Sequence, residues 1–149
     1  MSPVPAVHPR RIGHPGYNVT MAREPETVAE ARRLVRVSLA TWGLDDATEA
    51  AELVMSELVT NAVRHARLGA VRLIIDRPAE DRVYLAVVDR SPGVLPHLKV
   101  AGIEDVTGRG LLMVDVLTEQ WGYDLLGVGP RHWGKRVWAR LAAAKADLV

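Results

Sequence analysis

Two hydrophobic periods alternate along this chain. Val28, Ala31, Leu34, Val35, Leu39 and Trp42 recur at helical spacing, with Pro25 suited to the first turn and Gly43 to the stop. A second helix is expected from a cap at Asp45 or Asp46 to about Ala66, with Ala50, Leu53, Val54, Leu58 and Ala62 as its apolar set. The period then shortens to two. Val71, Leu73 and Ile75 alternate with Arg72, Ile74 and Asp76, which predicts a strand, and residues 77–81 read as its turn. Residues 83–88 are almost continuously apolar, as expected of a central strand. Residues 121–126 and 136–141 predict two closing strands joined by a Gly/Pro turn at 127–130. A short first strand fits residues 17–21, and a third helix opens at Gly108 and reaches about Thr118.

The resulting order is β-α-α-β-β-loop-α-β-β. Neighbouring strands joined by short turns imply antiparallel hairpins rather than a doubly wound parallel sheet. The expected fold is an α/β two-layer sandwich: a mixed, mainly antiparallel sheet with three helices packed on one face. Residues 16–142 form the folded domain in this reading. Residues 1–15, with four of the nine prolines, form a flexible N-terminal tail, and residues 143–149 a C-terminal tail.

Composition narrows the chemistry. The 149 residues are 48% apolar and 25% charged, ordinary for one soluble globular domain. A net charge of +1 offers no electrostatic case for nucleic acid or an anionic membrane. Without cysteine there is no disulfide, thiolate nucleophile or Cys-based zinc site. No apolar run approaches the ~18 residues of a membrane span, and the Pro-rich, basic start lacks the apolar core of a secretory signal, so a cytoplasmic protein is expected.

Three segments carry candidate chemistry. Glu57, Asn61 and His65 lie at i, i+4 and i+8, with Arg64 at i+7, and all project from one side of the second helix. A carboxylate one turn before a carboxamide can handle a proton beside a hard cation, with Glu57 as general base and the Asn61 carbonyl as a Mg²⁺ ligand. A solvated polar helix face explains the same stripe, although Asn is a poor mid-helix residue without a partner. Next, Asp89 follows the apolar strand directly and precedes Ser91, Pro92 and Gly93. It could accept a hydrogen bond from an exocyclic amine, or simply build an ordinary turn. Last, Gly108, Arg109 and Gly110 open a helix after Thr107, where backbone N–H groups, the helix dipole and a guanidinium could meet phosphate; a flexible loop capped by Thr107 is the alternative. There is no Walker-type loop, nucleophile elbow or paired-histidine zinc motif.

Each segment alone is weak, but their order is specific. Glu-x-x-x-Asn on a helix, a strand ending in Asp with a downstream Gly, and Gly-x-Gly opening a helix resemble the GHKL (Bergerat-fold) ATPase and kinase superfamily, the histidine-kinase-like ATPase domains. The stretch from Ser56 to Ala66, with Asp89 to Gly93 and Gly108 to Leu111, looks most like the anti-sigma-factor serine kinase branch. The likeness covers roughly residues 17–142.

The resemblance implies a bacterial transcription regulator that binds ATP and Mg²⁺ and transfers the γ-phosphoryl group to a serine of a partner. It implies a sigma factor and an anti-anti-sigma factor as partners, and leaves a homodimer open. Glu57 would be the base and Asn61 the Mg²⁺ ligand. Asp89 would recognise the adenine amino group, with Gly93 in the turn beneath the nucleotide. Gly108, Arg109 and Gly110 would form the lid hinge and the phosphate-facing helix start, with residues 97–107 as the lid. Arg64 and His65 fall beside the nucleotide. Two positions depart from the family pattern. Ser91 stands where the first glycine is usual, which suits it only if φ there is negative. Arg136 follows Gly134 and Lys135 where a threonine near the adenine is usual, and there it could crowd the base. A non-catalytic module that acts by docking a partner is the alternative these departures favour.

Overall fold

A computed structural model describes residues 6–9, 15–65, 69–93 and 113–143. The strands are β1 (Ala6–Pro9), β2 (Pro15–Ala22), β3 (Ala70–Ala79), β4 (Arg82–Asp89), β5 (Gln120–Val128) and β6 (Arg131–Ala142). The helices are α1 (Thr27–Trp42) and α2 (Thr48–His65), with a further helical stretch at 113–117. The strand order is β1-β2-β3-β4-β6-β5, and every pairing among them is antiparallel. The α/β two-layer sandwich is therefore as expected, but the sheet is antiparallel throughout rather than mixed.

The period-two pattern determines the faces. Buried toward the helices are Val71, Leu73 and Ile75 on β3, Val83, Leu85 and Val87 on β4, and Val137, Ala139 and Leu141 on β6. These odd-numbered residues form one core with Val35 and Leu39 of α1 and Val54 and Leu58 of α2. Even-numbered residues of the same strands face the opposite, helix-free side, because successive side chains alternate. β4 lies between β3 and β6 and is buried from Leu85 to Asp89, which confirms it as a central strand.

Several boundaries differ from expectation. Residues 6–9 pair with β2 and belong to the sheet rather than to a tail. Asp45 caps nothing: Asp45–Ala47 form a 3₁₀ turn that leads into α2 at Thr48. Residues 77–79 continue β3 instead of opening the turn, past a register shift between Asp76 and Ala79. The cause is Arg77, which is 3% exposed. Its guanidinium donates to the Glu80 carbonyl at 2.7 and 3.1 Å and to the Trp42 carbonyl at 3.4 Å, tying the hairpin to the end of α1. Gly43 does stop α1, at φ 73°, with its own N–H and that of Leu44 returning to the last carbonyls of the helix.

No described helix is long and apolar enough to cross a membrane. The expected lid at 97–107, the helix start at Gly108, Arg109 and Gly110, and residues 144–149 of the expected C-terminal tail lie outside the described residues. Ala143, expected in that tail, is instead buried in the core, with its N–H donating to the Asp81 carbonyl.

Two positions on α1 separate burial from helix propensity. Leu39 is fully buried, whereas Val37 is 57% exposed. Leu39→Ala should cost about 2–5 kcal/mol and Val37→Ala within about 0.5 kcal/mol, measured by urea denaturation.

Candidate functional site

α2 packs against β4, the strand that ends in Asp89. Leu58, Val59 and Ala62 anchor the second half of α2 in the core. Glu57 and Asn61 sit at its margin, half-buried, while Arg64 is exposed. Burial raises the proton affinity of Glu57 above that of an ordinary carboxyl, and the Arg64 guanidinium partly offsets the effect. A carboxylate shifted in this direction is a better base near neutral pH than a solvated one. The side chain of His65 lies outside the described residues, as do Gly108, Arg109 and Gly110.

Asp89 is buried at 2% exposure, and its surroundings form a closed polar knot. Its Oδ1 accepts the Ser91 backbone N–H at 2.8 Å, an Asx turn that starts the loop after β4. Lys135 Nζ donates to Oδ1 and lies 2.9 Å from Oδ2 as well, and it also donates to the Ser91 carbonyl at 2.9 Å. Both side chains of the pair are 1% exposed. Asp89 is thus a turn residue and a buried charge at once. The carboxylate still has acceptor capacity on Oδ2, since two oxygens offer about four lone-pair directions.

The two departures at this end of the sheet resolve differently. Among the described residues no non-glycine has positive φ, so serine is unstrained at position 91, and Ser91 supplies both backbone groups of the knot. Arg136 does not crowd the Asp89 side. It pairs across the sheet with Val88 and faces the helix-free side, while Lys135 takes the position opposite Asp89. Gly134 is required just before it: a Cβ there would collide with the Asp89 carbonyl oxygen. Gly93 is exposed in the turn at negative φ, with nothing within 4 Å of an added Cβ, so this backbone does not demand glycine there.

Lys135 is the site residue that strand pattern alone could have disclosed. It lies in phase with the buried Val137, Ala139 and Leu141, and a lysine in a buried phase requires an anion. Among the described residues no three His, Cys, Asp or Glu side chains gather into a metal site.

A family model for the histidine kinase-like ATPase domain matches residues 21–140. The chain belongs to that family. A solved structure, full-length ShkA in complex with AMPPNP, is similar in fold at a TM-score of 0.50 and 17% identity, over 95% of this chain and 32% of that one. This histidine kinase-like domain thus spans about a third of the length of ShkA. No curated protein matches it.

Two measurements test the electrostatics. Lys135→Met leaves a buried carboxylate uncompensated and should cost about 3–5 kcal/mol, while adding Asp89→Asn should recover much of the loss; denaturant midpoints of the three proteins decide it. Glu57 binds its proton more tightly folded than unfolded. Its contribution therefore favours folding in acid and is lost as pH rises through its folded-state value. Glu57→Gln should melt higher than wild type at neutral pH, and the gap should close below about pH 4.

Proposed function

We propose that this histidine kinase-like domain binds ATP with Mg²⁺ and acts as a protein serine kinase of the anti-sigma-factor type. The observation that carries the reading is the arrangement of Glu57 and Asn61 one turn apart on the half-buried margin of α2, against the strand that ends in buried Asp89. The family match over residues 21–140 supports nucleotide binding. ShkA, a fold relative, was solved with AMPPNP.

Each residue has a role that its surroundings suit. Asp89 Oδ2 accepts a hydrogen bond from the adenine amino group, with the carboxylate held in orientation by Lys135 and the Ser91 N–H. Lys135 donates to the Asp89 carboxylate, whose oxygens serve as acceptors. Asn61 offers one carbonyl oxygen to Mg²⁺, which when bound neutralises phosphate charge. Glu57 orients the incoming serine hydroxyl and takes its proton, aided by the raised proton affinity that burial confers. Phosphoryl transfer depends mainly on positioning and charge, so these few groups suffice as the protein's part. Gly108, Arg109 and Gly110 would face the phosphates, with Arg64 and His65 flanking them. The phosphoacceptor would be a serine of an anti-anti-sigma factor, and the sequestered partner a sigma factor.

A second reading, a docking module without catalysis, is favoured by one observation. Lys135 and the Ser91 N–H already occupy part of the Asp89 acceptor capacity, so a nucleotide base would share Oδ2 with the Lys135 ammonium.

Calorimetric titration of ATP with and without Mg²⁺, followed by phosphotransfer assays on candidate partners, separates the two. Glu57→Ala should retain ATP affinity and lower phosphotransfer about 10²–10⁴-fold. Absence of ATP binding at millimolar nucleotide would rule out the kinase; binding without transfer to any partner would support the docking module.

A further inference from the structure

The helix-free face of the sheet carries a pattern that neither the fold nor the nucleotide reading uses. On β6 its outward positions are Arg136, Trp138 and Arg140, at i, i+2 and i+4. The antiparallel register extends each into a row. Arg136 lies between Asp124 and Val88, with Arg72 beyond; Trp138 between Gly122 and Ala86, with Ile74 beyond; Arg140 between Gln120 and Tyr84, with Asp76 beyond. An apolar row therefore runs across the sheet, with guanidinium groups on both sides of it. Trp138 and Tyr84 stack with ring centroids 6.2 Å apart at 22°. Gly122 on β5 lets the indole lie close, since an added Cβ would stand 3.0 Å from its ring. A cleft of about 300 Å³ is lined by Ile74, Asp76, Pro78, Tyr84, Arg136 and Arg140.

Three arginines of this face are set apart from Arg82 by their lack of partners among the described residues. Arg82, at its margin, is bridged to Asp81 and Glu119 at 3.0 and 2.7 Å. Among the described residues Arg72, Arg136 and Arg140 have no side-chain hydrogen bond or ion pair, and Arg136 Nε is buried without an acceptor. Guanidinium groups beside stacked aromatic rings, with donors unused, form the composition of a protein-binding hot spot.

We propose that this face docks an extended acidic protein segment whose inward side chains run acidic, apolar, acidic. Charge and spacing both select this occupant. Arg136 and Arg140 are four residues apart on one strand, roughly 13–14 Å. An extended segment lying along β6 places its i and i+4 side chains at the same separation, with i+2 over Trp138. A second copy of this chain would bring arginine-rich patches together, which like-charge repulsion opposes. A nucleic-acid strand needs a continuous run of cations, which Asp76 and Asp124 interrupt, whereas the proposed segment needs only one acid over each of Arg136 and Arg140. The face is opposite α2 and Asp89, so the inference stands independently of the nucleotide reading.

The test titrates the full-length chain with capped, fluorescent synthetic peptides. One reads glutamate–threonine–leucine–threonine–glutamate; its scramble reads leucine–threonine–threonine–glutamate–glutamate. The patterned peptide should bind at least fivefold more tightly than the scramble. It should shift the Trp138 indole resonance and the β6 amides in ¹⁵N spectra. The double variant Arg136→Gln/Arg140→Gln, checked for folding by circular dichroism, should lose at least tenfold in affinity. Equal affinity for the two peptides would overturn the proposal, as would unchanged affinity in the folded double variant. So would tighter binding of a single-stranded oligonucleotide, or a sedimenting dimer that the double variant abolishes. Should that variant fail to fold, the wild-type spectra decide: shifts confined to residues away from β3, β4 and β6 also overturn it.

Discussion

Burying one face of an antiparallel sheet is the constraint on which the rest of this molecule depends. With α1 and α2 on one side, every residue of β3, β4 and β6 is committed by parity to the core or to the opposite face. A slip of one residue would expel Leu85 and Val87 and bring Tyr84 and Arg136 inward. The same parity places Asp89 and Lys135 at the end of the buried rows, where neither could remain alone. Their mutual bonds, together with the Ser91 backbone, turn two costly charges into one satisfied group.

That knot joins stability to the proposed site. It anchors the end of β4 to β6 and starts the loop after Asp89, so the backbone that leads toward the proposed nucleotide-binding side is held by a buried ion pair. Gly134 belongs to the same device, because only a residue without Cβ lets β6 pass the Asp89 carbonyl. α2 contributes the complementary half. Its apolar side is locked in the core, so Glu57 and Asn61 are presented at a margin that is rigid and only half wet. Partial burial raises the proton affinity of Glu57, which weakens the fold slightly at neutral pH and suits a base.

The two faces of the sheet divide the work. One holds the helices and the family's candidate site. The other holds an Arg–Trp–Arg strand pattern whose donors lack partners among the described residues. An antiparallel sheet covered by helices on one side thus presents two separate surfaces.

Much of this was legible in the residues. The helical spacing from Val28 to Trp42, the alternation from Val71 to Ile75 and the apolar run before Asp89 determined the elements, because each period matches one backbone geometry. The order of Glu57, Asn61, Asp89 and the Gly108–Gly110 segment pointed to the family. Tertiary structure alone decided which residues meet. That Arg77 would bond the end of α1, that residues 6–9 would extend the sheet, and that Lys135 rather than Arg136 would face Asp89 all depend on register between strands far apart in the chain. Local propensity carries no information on that register; it is set by which face the helices cover.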